Sequence, residues 1–414
     1  MNKVAFTICA KNYLAQALTL KGSLRETNPE IDFLIFLSDL ADVDGLPLSE
    51  LVLLDESWIP EWKRMAFKYN VIEFSTSIKP FCFDKLFKDG YEKVIYLDPD
   101  IYVTGSLNAI FEYLNDKSIV LTPHYCNIQT NFTGAVSEEE LLFVGIYNLG
   151  FCAICNNETG AKIIEWWKNR LSNKCYADKF DALHVDQKWM DFIPAFFPNE
   201  TLISHHMGIN PAIWNLHERE LLISDTGLYK IKNSVTNEQF PLLFFHFSGF
   251  DPFNPTLVNR RHPKYNTTNF PSFISLFREY VENEYANGYE LYSKLIYSFN
   301  AFEDGENILP IHRRLFRVNE LHIPDNNPFC NNSSFRKILK MNRLLTGIKS
   351  SNFSTYTSSA KTKKNLFEGI VLKFLKLLKR IMGIRYYSSL IIFLQENTRL
   401  DKQNILIDKK GEFR

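Results

Sequence analysis

Five short apolar runs, separated by stretches with helical spacing, constrain this chain more than any other feature. Residues 3–10, Ile31–Leu37, Lys93–Leu97, Ile119–Thr122 and Phe151–Cys155 are near-continuously apolar rather than alternating. Continuous apolar runs of this length suit strands buried on both faces, as in parallel sheets. Between them, Leu14, Leu18, Leu20 and Leu24 recur at helical spacing, and 79–89, 106–115 and 159–172 read as further helices. Strand–helix alternation of this kind predicts an α/β fold with a mostly parallel sheet, whose ligands gather at the carboxyl ends of the strands.

Composition closes off several alternatives. The formal net charge of the 414-residue chain is zero, so nothing global points to nucleic acid. The seven cysteines are odd in number and scattered, which fits reduced thiols. The N-terminal apolar run meets Lys11 too early for a signal peptide, and no window approaches the roughly 18 apolar residues of a spanning helix. The expected location is therefore cytoplasmic. There is no P-loop and no Gly-x-Ser-x-Gly elbow. The Cys152–Cys155 pair lies in an apolar run without a second pair, and His205, His206 and His217 lack matching ligand spacing, so neither suggests zinc.

The strongest local signal is Tyr96-Leu97-Asp98-Pro99-Asp100-Ile101, two carboxylates at i and i+2 directly after a buried strand. Across a tight turn both can face one hard divalent cation, Mg²⁺ or Mn²⁺. Asp-Pro-Asp is also an ordinary turn sequence. Its place at the end of a strand favours the metal.

An ordered set of motifs through about residues 3–255 resembles the GT-A glycosyltransferases, in particular family 8 and its bacterial polysaccharide relatives. The set runs from Ala10-Lys11-Asn12-Tyr13 through Ile78-Lys79-Pro80-Phe81, the Asp98-Pro99-Asp100 segment and Tyr147-Asn148-Leu149-Gly150 to Asp186-Gln187 and Phe245-His246-Phe247-Ser248-Gly249. The resemblance implies a GT-A, Rossmann-like fold with a mostly parallel mixed sheet flanked by helices, and a helical C-terminal extension. It implies Asp98, Asp100 and His246 as metal ligands. Thr7, Cys9, Ala10, Asn12 and Tyr13 would meet the nucleoside, Tyr13 stacking on a uracil-like base. Asn148 and Gly150 would lie beneath the donor sugar, with Gly249 closing the His-x-x-Gly. Asp186 and Gln187 would meet the reacting face and, with Asp100, form the catalytic set. The implied activity is sugar transfer from a nucleotide-sugar donor, UDP-linked and with retention, to a glycan or lipid-linked acceptor in bacterial surface polysaccharide synthesis. A non-catalytic sugar-nucleotide or glycan-binding protein and a sugar nucleotidyltransferase are the alternatives. The latter normally carries a Gly-rich basic loop that Ala10 to Gly22 lacks.

Two positions depart from the family pattern. The lysine expected shortly after the His-x-x-Gly is missing, Gly249 being followed by Phe250-Asp251-Pro252, and Lys79 is the expected substitute. The base-reading carboxylate is Ala10 here. Gly208–Asn215 resembles an acceptor-side loop of the bacterial relatives, with Asn210 and Trp214 shaping the pocket or filling core. The expected organisation is a catalytic domain over 1–260, a helical extension over 261–345, a polar linker over 346–365 and a basic tail over 366–414. Within that tail, Ile370, Phe374, Leu378 and Ile381 share one helical face opposite Lys376 and Arg380. An anionic membrane surface, met through 366–385 on the inner face of the membrane, is the expected partner; a helix packed on the catalytic domain explains the same pattern.

Overall fold

A computed structural model describes residues 2–349 and 356–407. The chain divides into two compact units, one built from Met1–Pro60 and Val71–Tyr297, the other from Glu61–Asn70 and Ser298–Arg414.

The first unit carries all the strands: β1 (Lys3–Cys9), β2 (Asp32–Leu37), β3 (Leu51–Val52), β4 (Lys93–Leu97), β5 (Ile101–Val103), β6 (Ile119–Leu121), β7 (Phe151–Cys155), β8 (Thr201–Ile203), β9 (Arg219–Ile223), β10 (Tyr229–Asn233), β11 (Gln239–Pro241) and β12 (Phe244–His246). The main sheet runs β3-β2-β1-β4-β7-β6-β8. Its neighbours are parallel except around β7, which is antiparallel to both β4 and β6. All five expected strands are in it. The fold class read from the sequence, an α/β mixed and mostly parallel sheet with flanking helices and a helical C-terminal extension, is the fold observed. The β1, β4 and β7 residues are almost all fully buried, as continuous apolar runs require.

Strand direction decides which loops meet. Because β1 and β4 are parallel neighbours, the segments after Cys9 and after Leu97 emerge at the same edge. Because β7 is antiparallel to β4, its beginning lies there too, with Leu97 opposite Phe151 and the Asp98 N–H donating to the Gly150 carbonyl at 2.7 Å. The short strand β5 leaves the sheet and pairs antiparallel with β12, setting Ile101 opposite His246. The three-stranded β11-β10-β9 sheet and the β5–β12 pairing escaped the sequence reading, since strands of three to five residues with mixed polarity carry little periodic signal.

The units differ from the expected boundaries. The first continues past residue 260 because the helix Ile274–Ala286 completes its core: Tyr280 stacks on Phe247 with ring centroids 3.7 Å apart, and Phe277 packs on Phe245. The second captures Glu61–Asn70 from far upstream. There the buried Arg313 guanidinium donates to the carbonyls of Ala66, Phe67, Tyr69 and Phe299, while Phe67 is ringed by Phe302, Phe316, Phe329 and Phe335. Of the expected polar linker, 350–355 lie outside the described residues, and a helix already runs from Tyr356 to Asn397, broken at Gly383 where φ is 73°. Residues 408–414 of the expected tail also lie outside the described residues. Among the described residues no helix is long and apolar enough to cross a membrane.

Candidate metal centre

Asp98 and Asp100 sit in a tight turn at the carboxyl end of β4, closed by the Ile101 N–H donating to the Asp98 carbonyl at 3.1 Å. The β5–β12 ladder, continued by the Phe247 N–H to the Asp100 carbonyl at 2.8 Å, delivers His246 to this turn across more than 140 residues of sequence. His246 Nε2 lies 3.2 Å from Asp100 Oδ1 and 3.7 Å from Asp98 Oδ2. One ligand atom from each of the three falls within 4.8 Å of the others, a group that could hold a metal ion. Two carboxylates and one imidazole make an oxygen-rich set suited to Mg²⁺ or Mn²⁺, so the residues fit the expected cation.

The imidazole is held from behind. Its Nδ1 lies 3.1 Å from Asn210 Oδ1, and the Asn210 amide donates to Asn148 Oδ1 at 3.0 Å and Thr122 Oγ1 at 3.2 Å. With its amide nitrogen so engaged, Asn210 can only accept from His246. That places the proton on Nδ1 and leaves the Nε2 lone pair facing the carboxylates, the tautomer a ligand needs. Trp214 closes one side of the ring, edge-on at 5.1 Å. Gly150 closes another: a Cβ there would meet His246 Cε1 at 2.3 Å and Nδ1 at 2.6 Å.

Electrostatics follow from burial. Desolvation would lower His246, but Asp100 and Asp98 outweigh it and its pKa is raised. Burial pushes the Asp98 carboxyl up, with Lys79 and His246 pulling it back only in part. At Asp100 the burial effect is overcome by His246, and its pKa is lowered.

The other expected site residues divide. Asn12, Tyr13 and Gly249 line one small cavity of about 100 Å³ together with Asp100. Asn148 and Gln187 line a second of about 120 Å³ with His184 and Trp214. Thr7, Cys9 and Ala10 are wholly buried in β1 and its end, and burial pushes the Cys9 thiol up. Gly150 makes room for His246. Asn148 spends its side chain on Gly150, Asn210 and Gln187. Gln187 is likewise engaged, accepting from the Leu149 N–H at 3.0 Å and donating to the Val144 carbonyl at 2.9 Å.

Lys79 is a correction. It is 1% exposed, donating to Asp186 at 2.5 Å and to the Leu149 carbonyl at 2.8 Å, above the Tyr96 ring. Its charge is spent on Asp186, so it is not the substitute phosphate ligand. Asp186 is equally committed to that pair and is 2% exposed.

Sequence reading missed Arg260 and Arg261, exposed side chains that flank the centre. Arg260 lines the Asn12–Tyr13 cavity and Arg261 the Gln187 cavity. Both act on the Tyr13 phenol: burial and Asp100 push it up, and the two guanidinium groups pull it back. Buried Asn259 pins this pair to the His-x-x-Gly turn, its Oδ1 accepting from the Arg261 N–H at 2.7 Å and its Nδ2 donating to the Ser248 carbonyl. Two adjacent arginines in a segment without periodic pattern gave the sequence no distinguishing signal.

The fold and these residues define an α/β protein with a candidate divalent-metal centre at the carboxyl edge of its sheet. Among curated proteins, the chain is 24% identical over 286 residues to the uncharacterized protein YfnF of Bacillus subtilis (strain 168), spanning 67% of this chain and 91% of that protein. The uncharacterized protein YfnD of the same strain is 25% identical over 203 residues, 48% of this chain and 60% of that protein. No family model matches. Similar solved structures include the galactosyltransferase LgtC in complex with donor and acceptor sugar analogs, at 14% identity over 67% of this chain and 95% of that one, TM-score 0.39. The glycosyltransferase GlyE of Streptococcus pneumoniae TIGR4 is 16% identical over 73% and 67%, TM-score 0.35. Mouse xyloside xylosyltransferase 1 is 12% identical over 59% and 97%, TM-score 0.37. These structures are glycosyltransferases, the class the sequence resembles; likenesses so distant assign no activity to this chain.

Gly150→Ala, by pushing the imidazole out of place, is expected to weaken Mn²⁺ binding at least about tenfold, and Asn210→Ala by about 10- to 100-fold. Calorimetric titration of the metal checks both; unchanged affinity in the two variants would break the link between this network and the centre.

Proposed function

We propose that the chain is a metal-dependent glycosyltransferase that moves a sugar from a nucleotide-sugar donor, UDP-linked in the reading we favour, to a hydroxyl of a glycan or lipid-linked acceptor. The observation that carries the reading is the convergence of Asp98, Asp100 and His246 at the carboxyl edge of the sheet. The wider setting supports it, with Tyr13 and Asn12 in one flanking cavity and Gln187 in the other.

The chemistry is a displacement at the anomeric carbon. The bond to the diphosphate oxygen breaks, a bond to the acceptor hydroxyl forms, and the hydroxyl proton goes to the departing phosphate. A bound Mn²⁺ or Mg²⁺ supplies charge neutralisation for the leaving group. Asp98, Asp100 and His246 hold that cation. Two carboxylates and a dication sum to zero, leaving the two negative charges of a diphosphate to be met by other groups. Arg260 and Arg261 are the side chains placed for it, one on each flank. Tyr13 and Asn12 hold the nucleoside, and Gln187 shapes the sugar cavity. Asp186, bound to Lys79, is poorly placed as a covalent nucleophile, so for the retaining transfer we favour the route is same-face displacement rather than a covalent intermediate. Its pairing also makes Lys79–Asp186 a strut beneath Leu149 rather than a reacting pair.

Asp98→Ala or Asp100→Ala is expected to cut metal-dependent hydrolysis of the donor by about a thousandfold or more with the circular dichroism unchanged. Full activity would remove the assignment, and a pyrophosphate-releasing nucleotidyl transfer in the same assay would favour the nucleotidyltransferase alternative. No turnover with intact sugar-nucleotide binding would favour a binding protein. Replacing Arg260 and Arg261 together with alanine should weaken UDP binding about 100-fold while leaving uridine binding unaltered, read by calorimetry. Equal losses for both ligands would argue against a phosphate role.

A cytoplasmic protein resting on the inner membrane face is the localisation we favour, in bacterial surface polysaccharide synthesis. Its support is the Tyr356–Asn397 helix, where Ile370, Phe374 and Ile381 of the expected face are each more than half exposed; Leu378 is half-buried, and the adjacent Leu377 is exposed in its place. With Lys373, Lys376, Lys379 and Arg380 beside them, this face suits an anionic bilayer. In full-length protein, Lys373→Glu, Lys376→Glu and Arg380→Glu combined should abolish sedimentation with phosphatidylserine vesicles; undiminished sedimentation would rule this segment out.

A further inference from the structure

We propose that the cleft between residues 124–128 and the helix Glu138–Val144 holds the acceptor, and that it selects a sugar terminus without negative charge. The inference rests on the transferase reading above and adds a site to it. The cleft has a volume of about 560 Å³, within the roughly 300–1,000 Å³ of small-molecule sites and far larger than either cavity at the metal centre.

It adjoins one of the cavities that flank the centre. His124 and Leu141 line both this cleft and the cavity that contains Gln187, Trp214 and Arg261. A molecule lying in the cleft is thus next to the cavity where, on the transferase reading, the donor sugar is read. The flanking cavity carries an unmet donor in its wall: Trp214 is 94% buried, and its indole N–H has no hydrogen-bond partner. A buried N–H left unpaired is costly, and an oxygen of a bound substrate would satisfy it. His124 is neutral, held near a pKa of about 4 by burial, and keeps its own nitrogens on Ile146 and Asn148. It is a wall of the passage rather than a proton carrier.

One side of the cleft is fixed in advance. Fully buried Glu218 accepts from the Cys126 and Asn127 N–H groups and from Asn127 Nδ2, between 2.7 and 3.1 Å, and is neutralised by Arg219. A buried ion pair adds little net stability but fixes geometry. Here it fixes the 124–128 backbone, so the shape of that wall does not have to be ordered by the ligand.

The lining sets the ligand class. Ile128, Leu142 and Ile146 offer exposed apolar surface for the C–H faces of a pyranose. Glu138 and Glu139 offer acceptors for hydroxyls, Glu138 already taking the Tyr125 hydroxyl at 2.8 Å. No lysine or arginine is among the described residues that line the cleft. Two carboxylates without a cation repel uronates, sialates and phosphates, which leaves neutral or amino sugars.

The test uses full-length protein with Mn²⁺ and UDP on an array of neutral and acidic oligosaccharides, alongside Mn²⁺ calorimetry. Neutral glycans should be retained, their binding falling at least about tenfold in Leu142→Trp, which fills the cleft from a 65% exposed position. Glu138→Lys should shift the preference toward acidic glycans. Retention of acidic glycans alone, no glycan retained, or neutral binding undiminished in Leu142→Trp would each overturn the proposal. Calorimetry separates the two readings: absent Mn²⁺ binding by the unmodified protein would fail the transferase reading, whereas intact Mn²⁺ binding with any of those array results would fail the cleft alone.

Discussion

The site depends on one contact, the approach of the buried His246 imidazole to the carboxylates of Asp98 and Asp100. Neither partner reaches the other through local structure. Asp98 and Asp100 are fixed by the end of β4, His246 by β12, and the β5–β12 ladder is the bracket that joins them. Once joined, two carboxylates and an imidazole lone pair converge on one point, and a divalent cation there balances both negative charges. Gly150, Asn210 and Trp214 then make sense as the surroundings that this imidazole requires: space, a hydrogen-bond acceptor and a wall.

A second constraint concerns where positive charge is placed. Lys79 lies within the interior, paired with Asp186, and works as a structural strut. Arg260 and Arg261 remain at the rim, where an anionic ligand arrives, and Asn259 ties their loop to the turn carrying Gly249. The same division recurs at Glu218 and Arg219, a buried pair that shapes a loop while the exposed Glu138 and Glu139 meet solvent. In each case the buried charges position backbone and the exposed ones are free to meet a ligand.

The strands and the Asp-x-Asp were legible because their signals are local. A near-continuous apolar run of four to eight residues reports burial on both faces, and a carboxylate pair directly after it reports the sheet edge. The ordered likeness to glycosyltransferases pointed to His246. The expectation that Lys79 replaces the missing phosphate lysine failed, because position in the sequence says nothing about which way a flexible side chain turns, and this one turns inward to Asp186 and the Leu149 carbonyl. Arg260 and Arg261 were overlooked because no local period or spacing marks them, and the unit boundary at residue 260 failed because aromatic stacking of Tyr280 on Phe247 is a long-range event.

By itself, then, the chain determined its α/β class, the order of its principal strands and the two aspartates of its candidate centre, all features encoded within a dozen neighbouring residues by burial pattern and turn chemistry. Tertiary structure alone decided how His246 reaches those aspartates, which cations stayed at the surface, and which cleft opened beside them. Those outcomes turn on strand direction and on the packing of segments distant in sequence, where distance in space is set by the whole fold and no short window of residues records it.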